Sequence, residues 1–475
     1  MMSDLTKRRV YLLRPGKLTP ETIAVTFAKT SRSPLSFDEI AAELTEAKSA
    51  EFHEKWVVGY GHASVAEHAV LHIAFENVSR LAIECIESNR LASYTEKSTR
   101  YQKWDRMGYF VPEEIVQTPY EELYVNTCDL LFDAYHQSLE PLKSVIQERN
   151  PRREGERDEQ WDGRTRSRYV DVARFLLPAA ALANVGMTVN ARALEHAIRK
   201  MLSHPLQEVR EIGETVKGTA QDEVPTLVKY ADAVPYLQET EADLAEYAKE
   251  FPGEVGGDDL HLVDHDDEAE LRVMAAAIYP AGGASFDTVM KKIRGMSTDE
   301  REQISDKLLG KMDRFDIPLR AFEHATYTFE ALLDQGAYFE LKRHRIMTQT
   351  PQDLRADLGY AVPRLFADSG FEAPYRNAMD AVSNAYGELH AWNPHVAAYI
   401  VPNGHKRRVL MTLNLREAYH FCELRSQPNA HFSIRRIALG MAEMIREVHP
   451  ILGSGMRLPT GITKDDIEKE YFLEL

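Results

Sequence analysis

The stretch Thr188-Val189-Asn190-Ala191-Arg192, which follows Leu177-Pro178, returns as Thr412-Leu413-Asn414-Leu415-Arg416 after Val401-Pro402. Working outward, Ser36-Phe37-Asp38 reappears as Ser285-Phe286-Asp287, and Glu67-His68 as Glu323-His324. Gly108-Tyr109-Phe110-Val111-Pro112 likewise returns as Gly359-Tyr360-Ala361-Val362-Pro363. Each match is short, but the order is kept at a drifting interval of roughly 220 to 260 residues, the mark of an internal repeat. We therefore read the chain as two tandem modules, residues 1–235 and 269–475, joined by an acidic linker over 236–268 in which Ala242 to Glu250 could form one short helix. At 475 residues the chain exceeds what one hydrophobic core usually supports.

Within each copy the periodicities alternate. Leu71, Ile73 and Phe75 alternate with His72 and Ala74, and Tyr327 and Phe329 alternate with Thr326 and Thr328, the two-residue period of half-buried strands. Helical segments follow over 79–89 and 335–344, then 190–201 and 414–425, and last 206–218 and 432–449. Mixed helices and antiparallel strands without G-x-G-x-x-G or a P-loop predict an α+β fold rather than a Rossmann or P-loop nucleotide site. The charged segment 151–168 reads as a solvated loop, with a phosphate-contacting loop as the other reading. His261-Leu262-Val263-Asp264-His265-Asp266-Asp267 superficially resembles a metal site, but its acidic surroundings read as spacer, and no metal is expected. His68 and His324 read as buried, hydrogen-bonding histidines.

The net charge of −17 opposes nonspecific adhesion to nucleic acid or anionic membranes. No apolar run is long enough to span a bilayer, and the start lacks the apolar core of a secretory signal. Three scattered cysteines without C-x-x-C suggest a reducing compartment, so the expectation is a cytoplasmic protein with a small-molecule partner. Any phosphate site must then be a local gathering of arginines. Arg343-His344-Arg345 offers adjacent planar forks suited to phosphate, though a helix end bearing dipole-compatible cations has the same look.

The segment from Arg90 to Tyr101 and the segment from Arg343 together resemble the flavin-dependent thymidylate synthase family, whose pattern is R-H-R-x-x-S-x-N-E-x-S-x-R-Y. The first copy keeps Arg90, Ser93, Glu96, Ser98, Arg100 and Tyr101 but has Ser88-Asn89 where the family has R-H. The second keeps Arg343-His344-Arg345 but is expected to have Asp353 at the serine position and no following arginine. His62 and Arg174 hold family positions that are Pro318 and Ala398 in the second copy, whereas Arg425 holds one that is Met201 in the first. Each copy lacks what the other retains.

The resemblance implies homotetramers with active sites built between chains, and hence a homodimer of this duplicated chain forming a pseudo-tetramer. It implies one composite site for a pyrimidine nucleotide, bound by Arg100, Arg174, Arg343 and Arg425, with Ser98 and Glu96 in the catalytic positions. Ser98 reads as a hydrogen-bonding group, since no activating base pairs with it in the sequence. The reciprocal site, with Ser88, Met201, Asp353 and Ala398, would not hold a phosphate in the same way. Cofactor positions are His62, His344, Arg345, Asn190, Arg192, Asn414, Arg416 and His420; the asparagines could equally be helix caps. The implied chemistry is FAD-dependent methylation of the dUMP-to-dTMP type, with methylenetetrahydrofolate and NADPH as co-substrates. A flavoenzyme acting on another nucleotide, or a noncatalytic nucleotide-binding descendant, are the alternatives.

Overall fold

The computed structural model describes residues 18–30, 33–59, 63–105, 108–251 and 259–475. The architecture is α+β, two tandem modules of antiparallel sheet and packed helices. In the first repeat, β1 (Val70–Ser79), β2 (Ala92–Glu96) and β3 (Leu182–Asn190) form an antiparallel sheet in the order β1-β3-β2. In the second, β4 (Leu260–His265), β5 (Thr326–Asp334), β6 (Thr348–Pro351) and β8 (Lys406–Asn414) form a sheet in the order β4-β5-β8-β6. A short ribbon pairs β7 (Val362–Pro363) with β9 (Phe472–Glu474).

The repeat extends to register. Val70 pairs with Asn190 and His72 with Thr188, as Thr326 pairs with Asn414 and Thr328 with Thr412. The polar pair across each sheet is bonded at 2.9 Å, His72 Nδ1 to Thr188 Oγ1 and Thr328 Oγ1 to Thr412 Oγ1. Tyr124 donates its hydroxyl to the Phe110 carbonyl, and Tyr375 to that of Ala361, both at 2.6 Å. Tyr109 donates to Asp129 at 2.8 Å as Tyr360 does to Asp380 at 2.7 Å. β1 departs from β5 by a bulge between Phe75 and Val78, where Asn77 takes φ 55° and its amide is received by the Asn184 side chain.

Chain contacts divide the molecule into two units that do not follow the repeats. One unit contains the chain up to Lys97 with Pro112–Glu114 and Leu182–Pro252; the other contains Ser98–Val111, Ile115–Ala181 and Gly253–Leu475. Residues 98–111 and 115–181, from the first repeat, thus pack with the second. The seam inside this larger unit is reciprocal. Ala179 N donates to Val401 O at 2.9 Å and Asn403 N to Leu177 O at 3.0 Å. Ala180 N donates to Tyr399 O at 2.7 Å, and Gly404 N to Phe175 O at 2.9 Å. Pro178 and Pro402 face each other in an antiparallel bridge at its centre. Arg174, just ahead of this seam, is thereby set against the second repeat, where its carbonyl accepts from Asn403 Nδ2 at 2.8 Å. The larger unit's core includes Phe329, Met411, Ile437 and Met441, all fully buried.

The charged segment and the acidic linker carry more regular structure than the sequence suggests. From Asp158 on, the stretch read as solvated loop is the helix Asp158–Ala173, at whose start Gln160 Oε1 accepts from Arg157 N at 3.0 Å. Its arginines are spent locally: Arg164 on Glu156, Arg166 on Asp162 and Arg168 on Asn150. Within the acidic stretch, Pro235–Ala248 is a helix with no buried residue, and Leu260–His265 is the edge strand β4. His68 and His324 are exposed rather than buried, lying where short 3-10 turns end before the strands.

Candidate functional site

The helix Gln335–Leu341 starts the site. Asp334 caps it, accepting from Ala337 N at 2.9 Å, and every residue of the helix is buried. Glu340, near its end, is a carboxylate 4% exposed. Burial favours its neutral form, but Arg100, His431, Arg425 and Arg174 outweigh that and hold the carboxyl below its ordinary range. Oε1 accepts from Arg100 Nη1 at 3.0 Å and Oε2 from Arg425 Nη1 at 2.8 Å. One carboxylate therefore joins an arginine from the first repeat to an arginine from the second.

Asp171 is the second anchor. Its Oδ1 lies 2.8 Å from Arg174 Nε and 3.1 Å from Arg100 Nε, while Oδ2 lies 2.9 Å from His431 Nδ1. Burial opposes the charge of Asp171, yet His431, Arg174 and Arg100 together push its carboxyl far below the usual range. Arg174 is fully buried, and its other nitrogens donate to Thr99 Oγ1 and the Gly336 carbonyl. The sequence assigns Arg174 to substrate; the structure commits each of its nitrogens to the protein. A Cβ at Gly336 would stand 2.9 Å from Asp334 Oδ1, so the glycine leaves room for that carboxylate, while the Arg174 Cζ lies at an ordinary contact distance of 3.6 Å.

His344 forms the outer node. Arg425 Nε donates to His344 Nε2 at 2.9 Å, so the ring proton lies on Nδ1, 2.9 Å from Glu417 Oε1. Burial first, and then the positive charge of Arg425, lower its pKa to about 2, so the ring is neutral. A neutral His344 bonded on both sides positions Arg425; its two ring nitrogens are committed before any cofactor arrives. Arg425 itself is disfavoured as a cation by burial and by its neighbours Arg343 and Arg100, with Glu340 opposing. Arg100, Arg425 and Arg343 therefore share one electrostatic neighbourhood. Arg343 is exposed, Arg345 half-buried, and His420 is exposed with its ring 5.3 Å from His344.

The remaining candidates divide. Ser98 Oγ accepts from Arg100 N at 3.2 Å and shapes the turn that carries that arginine. Asn414 and Asn190 are helix caps, accepting from Glu417 N and Ala193 N at 2.9 Å, the alternative the sequence left open. Arg416 donates to Glu323 and to the Pro318 carbonyl, and Arg192 to Glu67, the same contact in each repeat. Glu96 belongs to the smaller unit, paired with Arg80 at 2.8 Å between buried side chains. His62 lies outside the described residues. Arg355, two residues beyond Asp353, stands at the spacing by which Arg100 follows Ser98, so the second repeat does carry an arginine in that register; it pairs with Asp357 at 2.9 Å.

Glu340, Asp171 and His431 were not selected from the sequence. The available signals were Asp171 three residues before Arg174, and Glu340 three before Arg343. Both are ordinary spacings of helical ion pairs and say nothing of partners in the other repeat. The smaller unit holds a counterpart of the outer node. Lys200, beside Met201, donates to Asn89 Oδ1 at 2.9 Å and to Ser88 Oγ, where the second repeat has Arg425 on His344.

A duplicated α+β module whose two repeats contribute arginines to one buried cluster defines the class of protein. The sequence profile of the thymidylate synthase complementing protein family matches residues 16–226 and again 261–451, and the chain belongs to that family. A UPF0159 protein of Chlamydia muridarum is 30% identical over 442 residues, covering 89% of this chain and 83% of that protein. A UPF0159 protein of Thermoplasma acidophilum is 30% identical over 450 residues, covering 86% and 89%. A flavin-dependent thymidylate synthase of Clostridium tetani is 28% identical over 215 residues, covering 45% of this chain and 82% of that enzyme. Among solved structures, the UMP/dUMP methylase PolB of Streptomyces cacaoi bound with 5-Br dUMP aligns at a TM-score of 0.34 and 18% identity, covering 43% of this chain and 96% of that one.

Proposed function

We propose that the chain methylates a pyrimidine nucleotide, in a reaction of the dUMP-to-dTMP type using methylenetetrahydrofolate and NADPH, with FAD as cofactor. The family supports nucleotide methylation in general terms. What supports the particular site is the meeting of Arg100 and Arg425, one from each repeat, on Glu340. Arg425 keeps Nη2 uncommitted, and with the exposed Arg343 it offers a fork for the nucleotide's phosphate. Arg100, across Glu340 from Arg425, would join that phosphate contact, and Ser98 would orient the pyrimidine side.

The residues fit a flavin in part. Arg343, Arg345 and His420, beside His344 in sequence or in ring contact with it, would hold a pyrophosphate, whereas Asn414 and Arg416 already serve the protein. Bound flavin would supply hydride transfer; the protein's share is position and charge. Asp171 holds Arg100, His344 holds Arg425, and the buried surroundings strengthen both contacts by excluding water. In solution the reading carries a homodimer forming a pseudo-tetramer.

Purified protein is expected to be yellow, with flavin absorbance bleached by NADPH and thymidylate formed from deoxyuridylate and methylenetetrahydrofolate. Arg343→Ala and Arg100→Ala should each abolish pyrimidine-nucleotide binding, whereas Asp353→Ala should not. Equal loss from all three would sink the division between repeats. A specific observation favours a second reading, a flavoenzyme acting on another nucleotide: two carboxylates, Asp171 and Glu340, already sit among the arginines. Yellow protein that binds nucleotides but forms no thymidylate would decide for it.

A further inference from the structure

We infer that Glu340 determines the charge of the ligand this site accepts: it occupies the anion position between Arg100 and Arg425, so a dianion enters only as Glu340 takes up a proton. The inference rests on the reading that this cluster receives the ligand's phosphate.

Glu340 uses both oxygens, one on each guanidinium, which is the contact a phosphate would make. Arg100 has few alternative donors. Its Nε faces Asp171, Nη1 serves Glu340 and the Asn429 carbonyl, and Nη2 serves the same carbonyl. A phosphate oxygen drawn to Arg100 and Arg425 therefore arrives beside a carboxylate that already neutralises them.

Swinging the carboxylate out would break both of its ion pairs. Glu340 lies on a helix buried from Gln335 to Leu341, capped at its start by Asp334, which Ser433 also holds. The charged and titratable groups around Glu340 are Arg100 on the turn after β2, Arg425 at the end of the helix Leu415–Arg425, Arg174, and His431 ahead of the helix Phe432–Val448. Beyond these stand Asp171, between Arg100, Arg174 and His431, and the neutral His344 on Arg425. Three guanidiniums thus meet two carboxylates. In the unliganded site the cations keep Glu340 ionised. A dianion adds like charge beside it and reverses that balance, and a proton on one oxygen is the smallest rearrangement that removes the repulsion.

The test uses the full chain as purified, with sulfate as probe because it has no proton of its own to exchange near neutral pH. Calorimetry in buffers of different ionisation enthalpy should show uptake of close to one proton per sulfate. Affinity should weaken about tenfold per pH unit between about pH 6 and pH 8. Glu340→Gln keeps the shape and removes the charge; it should bind sulfate at least about tenfold more tightly at the upper pH, without proton uptake. Sulfate that binds the variant no better, or binds neither protein, overturns the inference. Should the variant fail to fold, a pH-independent sulfate affinity in the unaltered protein overturns it alone. A variant that gains sulfate affinity while neither protein makes thymidylate would sink the proposed reaction and leave the inference standing. Thymidylate formation with no gain would do the reverse.

Discussion

At the residue scale, the sharpest consequence lies with His344. Its ring is neutral in the fold, with a pKa lowered to about 2 by burial and the adjacent Arg425, and His405 is likewise lowered to about 3 by burial. In the unfolded chain both would take a proton near pH 6.5. The folded-state values are depressed, so the stability these rings contribute is present above that pH and is lost as pH falls. Each should cost about 1.4 kcal/mol per pH unit below 6.5. A denaturant series between about pH 7 and pH 5 should show that slope, and His344→Gln should reduce it by one histidine's share. An unchanged slope in the variant would contradict a neutral ring.

These same residues mark how far the sequence could be read. Arg343-His344-Arg345 announced itself, and the complementary losses in the two repeats pointed to Arg100, Arg174 and Arg425 as one group. The structure does gather those three. It also shows Arg174 buried and spent on Asp171, Thr99 and Gly336, which no local pattern could reveal. An arginine's role depends on which acceptors surround it, and here those acceptors lie 75 to 162 residues away as well as three. Asn190 and Asn414 illustrate the reverse difficulty, since the same side chain suits a cap and a ligand, and only the position of the helix start separates them.

At the scale of elements, helices following strands were legible where their apolar spacing is strong, as with Ala191–Leu202 and Phe432–Val448. The helix Asp158–Ala173 was not, because its first turns are dense in charge and its buried residues, among them Tyr169, Val170 and Val172, lie toward its end. The element that matters most is Gln335–Leu341, only seven residues long and dependent on its cap. Gly336→Ala should destabilise the protein by about 1–3 kcal/mol, since the added methyl pushes the buried Asp334 from the Ala337 amide and the Ser433 hydroxyl. Thermal unfolding of that variant would measure it; an unchanged midpoint would mean the helix start can shift. Asn414→Ala, removing the cap of the next helix, should cost about 1 kcal/mol by the same measurement.

At the scale of the molecule, the exchange around Pro178 and Pro402 means that neither repeat completes its own backbone pairing. A fragment spanning 259–475 loses the carbonyls of Phe175 and Leu177, leaving the amides of Gly404 and Asn403 without acceptors. It also uncovers Val401 and Ile400, both fully buried in the whole chain. Such a fragment should self-associate, each copy offering the other what residues 174–181 supply, and sedimentation should show dimers where the intact seam would not require them. A stable monomeric fragment would show that the seam contributes little.

That reciprocal seam has an evolutionary corollary. When two identical subunits meet across a twofold axis, any substitution is written on both sides at once, and a change that suits one pocket is imposed on its twin. Joining the two genes ends that obligation. A lysine could settle behind Ser88 and Asn89 while an arginine stayed behind His344, and a glutamate could arise at position 340 opposite the cysteine at 85. Covalent fusion turned a symmetric pair into two partners free to specialise, and the concentration of cations in one place is what that freedom made possible.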